Sequence, residues 1–199
     1  MINPDSLRAR MQEALRSLPE LRTERLRLRK LRADDAEGIF AYASDPEVAT
    51  YVLWEAHRSL ADTRAFLDMV LQQYQSLAPP TWGVELLEKG ELIGTCSFVA
   101  LAPEHARGEI GYALGRKHWG KGYMVEAVRA VLAYGFGPLG LNRIEARCDP
   151  HNTGSWRVME KAGMKFEGLL RQNIVLHGVA RDARLYAILR EDSPALSTR

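Results

Sequence analysis

The segment Trp119-Gly120-Lys121-Gly122-Tyr123-Met124 joins a run that reads as a strand, 107–114, to a stripe of Val125, Val128, Val131 and Leu132 at helical spacing. Gly137-Pro138 ends that helix, and a further strand is predicted at 143–148. The order is a β-α-β unit whose strand-to-helix turn carries two glycines, with no proline between Glu104 and Gly137. Backbone N–H groups from Gly120 to Val125 are therefore free to donate. Two of these positions lack the Cβ that would hold off a bulky anion, and the helix N-terminus adds partial positive charge. The segment reads as a pyrophosphate cradle, while a plain tight turn explains the glycines alone.

The rest of the chain is read around this unit. Leu7, Met11, Leu15 and Leu18 lie at helical spacing over 5–18, closed by Pro19; this amphipathic helix either packs on the domain or mediates self-association. A strand follows at 25–31, where Arg25, Arg27 and Arg29 alternate with Leu26, Leu28 and Leu31. The period of two predicts one buried and one solvated face, with the arginines in water. Helices are expected at 34–44 and 60–77. Strands are expected at 81–87 and 91–101, before the central unit, and near 164–171 and 182–189, after a short helix at 155–162. No repeat or linker interrupts the pattern, so one domain at 21–192 is predicted, with a helical extension at 1–20 and a tail at 193–199.

At 199 residues and 46% hydrophobic the chain can bury one sizeable core, and a net charge of +2 with interleaved acids argues against nucleic acid as a partner. Cys96 and Cys148 form no CxxC, and the histidines show no HxxxH or HExxH pairing, so neither a disulfide framework nor a metal site is expected. Buried, reduced cysteines point to the cytoplasm. No run is long enough to span a membrane, and Met1-Ile2-Asn3-Pro4-Asp5 does not open a signal peptide.

Two nucleotide motifs fit only in part. Gly115 to Lys121 matches seven positions of GxxxxGK[ST], but Gly122 replaces the hydroxyl residue that holds magnesium. For GxGxxG, Gly120 and Gly122 match and Val125 stands at the third glycine.

A larger pattern surrounds them. Gly108-Glu109-Ile110-Gly111-Tyr112-Ala113-Leu114, then Trp119 to Met124 and Glu126-Ala127, resembles the acetyl-CoA signature of GNAT N-acetyltransferases, most closely the RimJ/RimL type. Arg143-Ile144-Glu145-Ala146, Asn152-Thr153-Gly154-Ser155 and Lys161 to Gly168 follow in the family's order, and His177-Gly178 and Arg181-Asp182 occur where that type often carries a glycine turn and an acidic residue. The resemblance implies a mixed α+β fold: a central, mostly antiparallel twisted sheet, splayed at the acetyl-CoA site and flanked by helices. It implies that the backbone of Tyr112, Ala113 and Leu114 pairs with pantetheine, and that Trp119, Gly120, Lys121, Gly122, Tyr123, Met124 and Val125 hold the pyrophosphate. Arg116 and Lys117 are either further phosphate partners or solvated surface cations.

By the same resemblance Glu109 is the candidate base, with Glu145 its rival. Arg147 stands where some related enzymes carry a catalytic glutamate. Met159 occupies the place of the family's usual tyrosine acid, so Ser155 takes the acid role by analogy with the RimL-like members, or else caps a helix. Asn152 is a CoA contact or a turn residue. Tyr51, Trp54 and His57, with Trp82, are either acceptor-cleft residues or core. The implied activity is transfer of an acetyl group from acetyl-CoA, a co-substrate, to a primary amine such as a peptide N-terminus, by direct attack in a ternary complex; no metal, nucleic acid or membrane is involved, and a homodimer is open. A non-catalytic acyl-CoA-binding module is the alternative, because the tyrosine is missing.

Overall fold

The computed structural model describes residues 4–193. The sequence pattern becomes helix α1 (Pro4–Ser17), strands β1 (Leu21–Arg22) and β2 (Leu26–Arg29), helices α2 (Ala36–Ala43), α3 (Pro46–Ala49) and α4 (Leu60–Gln73), and strands β3 (Thr81–Leu86), β4 (Glu91–Ala102) and β5 (Arg107–Leu114). Helix α5 (Tyr123–Phe136), strand β6 (Arg143–Cys148), helix α6 (Thr153–Lys161) and the hairpin β7 (Lys165–Leu176)–β8 (Val179–Leu189) complete it. One sheet runs β1-β2-β3-β4-β5-β6-β8-β7, and β5–β6 is its only parallel pair among the described residues. A parallel neighbour needs a crossover, and α5 supplies it.

Neighbouring residues on a strand point to opposite faces, and the two cores follow that alternation. Ile93, Ile110 and Ile144 belong to the larger core with α1 and α5, whereas Leu92 joins Ile39, Leu67 and Val70 under α2 and α4. The helical layer α2–α4 therefore covers one face only near β2 to β4. On that same face, β5 and β6 carry Arg107, Glu109, Arg143, Glu145 and Arg147 instead of an apolar stripe.

Helix α1 packs on the domain. Leu7, Met11, Ala14 and Leu18 are buried in the larger core, Tyr134 donates to the Ala14 carbonyl at 2.8 Å, and Arg10 Nε donates to the Pro138 carbonyl at 3.0 Å. The arginine thus sits at the C-terminal end of α5, where a cation is favoured.

The arginines of β2 are not the wet face that alternation predicts. Arg29 is buried, donating to both Asp35 oxygens at 2.7 Å and to Glu85 at 2.5 Å, and Arg27 shares Glu85 at 2.6 Å. Alternation fixes which way a side chain points. It cannot show that β3 and the turn before α2 bring carboxylates over that face. Buried charges persist only when paired, as here.

Candidate active site

Strands β5 and β6 pair from Arg107↔Arg143 to Ile110↔Ala146 and no further. Beyond that point β5 stays with β4 through Leu114, and β6 stays with β8 through Cys148. The sheet therefore opens, and among the described residues no strand pairs with the edge of β5 from Gly111 onward on its β6 side. An extended chain can be received there by backbone pairing. Trp119, 46% exposed, is tied to the end of this edge by its indole N–H, which donates to the Leu114 carbonyl at 2.7 Å.

After Trp119 the chain turns at Gly120 (φ 74°) and Gly122 (φ 80°), both left-handed. Gly122 is the N-cap of α5, and the first N–H returned to the turn is that of Glu126, to the Gly122 carbonyl. None of the six N–H groups from Gly120 to Val125 has an acceptor among the described residues. That is the donor set of an anion site at a helix N-terminus. Gly120, Lys121, Gly122, Tyr123, Met124 and Val125 thus share one turn at the start of α5. Lys121 has no carboxylate partner among the described residues, whereas Arg116 pairs with Asp45 at 2.8 Å and Lys117 with Glu91 at 2.5 Å.

The sequence reading missed Arg25. Its guanidinium pairs with Glu126 at 2.6 Å, donates to the Lys121 carbonyl at 3.1 Å, and lies 4.6 Å from the Tyr123 ring centre. Thr23 donates to Glu126 as well, at 2.5 Å, so the turn before β2 clamps the glycine loop from about 100 residues away. Beside Gly122 opens a cleft of about 710 Å³ whose walls include Arg22, Arg25, Arg129 and Lys161 against Glu24 and Glu126.

Two sets of chemistry flank the opened strand edge. On the α5 side the Tyr112 hydroxyl donates to the Ser155 carbonyl at 3.0 Å and lies 3.1 Å from Ser155 Oγ. Burial pushes both the Tyr112 hydroxyl and the neighbouring Cys148 thiol up, the thiol to about 11, and both stay protonated at neutral pH. Asn152 caps α6 by accepting from the Ser155 N–H at 3.0 Å, so Ser155 is not the cap and its hydroxyl points toward Tyr112.

On the other face stands Glu109, its side chain 21% exposed. Burial raises its pKa above the ordinary carboxylate range, Arg147 at 3.1 Å opposes the rise, and Glu145 adds to it. The rival Glu145 is buried against Arg143 at 2.7 Å and Arg107 at 3.6 Å. Glu145 is thus enclosed by arginines, its side chain 6% exposed, while Glu109 keeps a more open face toward the gap in the sheet.

The remaining predicted residues separate. Tyr51 is exposed on the loop after α3, and Trp54 lies 5.6 Å from the His57 ring against the smaller core. His177, at the β7–β8 turn, reaches that loop, with Nδ1 2.7 Å from Glu55 and Nε2 3.2 Å from the Ala49 carbonyl. Trp82 corrects the expectation of a cleft residue. It is wholly buried in the larger core, donates to the Pro19 carbonyl at 3.0 Å, and meets Tyr134 edge-on. In β3 its position points toward α1, away from Glu109. Among the described residues, no cluster of His, Cys, Asp or Glu is arranged for a metal ion, and no helix is long and apolar enough to cross a membrane.

Residues 25–165 match the family described as the acetyltransferase (GNAT) domain. The chain is 38% identical over 172 residues to the uncharacterized N-acetyltransferase p20 of Bacillus licheniformis, covering 86% of this chain and 97% of that one. It is 29% identical over 140 residues to the [ribosomal protein uS5]-alanine N-acetyltransferase of Escherichia coli, covering 69% and 72%. The crystal structure of a GNAT-family acetyltransferase from Bacillus anthracis aligns with a TM-score of 0.78 at 36% identity, over 87% of this chain and 99% of that one.

Proposed function

The chain belongs to the GNAT acetyltransferase family, and on that premise we propose that its acceptor is the α-amino group of a peptide N-terminus. It is an acetyl-CoA-dependent N-acetyltransferase. One observation carries the mechanism: the β5 edge opened beyond Ile110 has Glu109 on one face and the Tyr112–Ser155 pair on the other. The likeness to an alanine N-acetyltransferase supports the peptide acceptor.

Six free N–H groups and the cationic cleft beside Gly122 suit a diphosphate carrying further negative charge, which is the anionic part of acetyl-CoA. The free edge of Gly111 to Leu114 suits its pantetheine arm. When bound, the donor supplies an activated acyl carbon in a thioester.

Around that carbon, Glu109 takes a proton from the attacking amine as the C–N bond forms. Ser155 Oγ, backed by the Tyr112 hydroxyl, donates toward the sulfur as the C–S bond breaks.

The acceptor class is tested with purified protein, acetyl-CoA and a panel of amines. Steady thiol release, with an N-terminally acetylated peptide as the product, is the expected result; release only with polyamines or drug-like amines rejects the peptide reading. Ser155→Ala is expected to lower kcat about tenfold, the scale of one hydrogen bond to a developing charge, while the acetyl-CoA Kd stays within about twofold. An unchanged kcat removes Ser155 from the proton path.

A further inference from the structure

Arg147 follows Ala146, the last residue of β6 to pair with β5, and so stands at the mouth of the opening, level with Gly111. Strand alternation puts its side chain on the face of Glu145 and Glu109, opposite that of Tyr112. Its Nη2 lies 3.1 Å from Glu109 and 3.9 Å from Glu145, and Nη1 donates to Asn173 Oδ1 at 3.2 Å.

Asn173 is there because β7 bulges. Leu170 pairs with Ala183 and Ile174 with Arg181, so residues 171–173 stand opposite Asp182 alone, which accepts from the Gln172 N–H at 2.9 Å. The extra residues let an edge strand reach across β8 to fix a guanidinium on β6.

A guanidinium has five N–H donors. Among the described residues only the bond to Asn173 is made, the buried Nε has no partner, and the side chain remains 31% exposed. An ion pair with Glu109 alone requires neither the bulge nor the spare donors.

We propose that Arg147 selects the acceptor by donating to an oxygen on the carbon next to the amine-bearing carbon. The inference rests on Glu109 taking the amine proton. Carboxylate and guanidinium then read the two ends of an α-amino acyl group, the chemistry shared by peptide N-termini and free amino acids. An alkylamine offers no such oxygen, and a polyamine turns a second cation toward Arg147, a repulsion that discriminates against it.

The test compares kcat/KM for an alanine-headed tetrapeptide, free alanine and n-butylamine in the wild type, Arg147→Gln and Arg147→Lys. The peptide-to-butylamine ratio is expected to fall at least about tenfold in Arg147→Gln and less in Arg147→Lys, which keeps the charge without the planar fork. Any change in Glu109 basicity affects every amine alike and cancels in the ratio. Retained preference in a folded Arg147→Gln protein, judged by its acetyl-CoA Kd, overturns this inference alone. Wild-type preference for butylamine instead overturns the peptide reading beneath it. If Arg147→Gln does not fold, the lysine variant decides by the same ratio. Free alanine separates the sources: equal dependence on Arg147 for alanine and peptide supports the shared chemistry, and independence for both rejects it.

Discussion

Replacing Glu109 with glutamine is expected to lower kcat/KM for the amine by about 100- to 1000-fold, the usual contribution of a positioned general base. The exchange keeps the shape and removes the proton acceptor, so the acetyl-CoA Kd should hold. The pH profile gives a second readout. Burial raises the Glu109 pKa above the ordinary carboxylate range, and the base works only when deprotonated. The wild-type rate should therefore fall with decreasing pH along a limb that begins higher than a solvated glutamate would set. That limb should vanish in Glu109→Gln, leaving only the titration of the amine itself. Steady-state rates from about pH 5 to pH 9 check both points. A loss below about threefold, with the limb intact, transfers the base to Glu145 or to water.

Gly122→Val acts on the other substrate. At φ 80° a residue with a Cβ is strained, and a β-branched one most of all. Forced back to an ordinary φ, the chain turns the N–H groups of Tyr123 to Val125 away from a common point. Each charge-assisted bond lost is worth about 1.5–3 kcal/mol, so the acetyl-CoA Kd should rise by about 10- to 100-fold. A Cβ added at Gly122 would lie 3.5 Å from Arg25 Nη2, ordinary contact, so crowding is not the cause. Titration calorimetry on a protein with an unchanged far-ultraviolet spectrum measures the effect. A Kd within about twofold of wild type would remove the cradle role.

How legible these features were depended on distance along the chain. The β5–α5 turn, with its glycines and free N–H groups, is local, and local pattern predicts it well. Strands β7 and β8 ran longer than expected because the bulge at 171–173 breaks the period of two, which hides their continuation to Leu176 and from Val179. The short β1 and α3 carry too few residues for any periodicity to register. Trp82 shows the converse: aromatic character marks a residue for burial or for recognition, and only the fold says which. Arg25 on Glu126 and Arg147 between Glu109 and Asn173 join residues tens of positions apart. Charge alone marks none of them, since each reads equally well as a solvated surface residue.

Strand β5 divides its labour by parity. Glu109 and Gly111 lie on the face of Glu145 and Arg147, the acceptor side in the mechanism proposed above, whereas Ile110 and Tyr112 look toward α5 and Ser155. If that mechanism holds, mutation at odd positions, on β6 beside them, or on the β7–β8 hairpin changes the acceptor side, while even positions and the glycine turn serve the donor. Such a scaffold can be retargeted to new amines without rebuilding its thioester seat, and a library confined to the acceptor face should keep its donor affinity while its preferences drift.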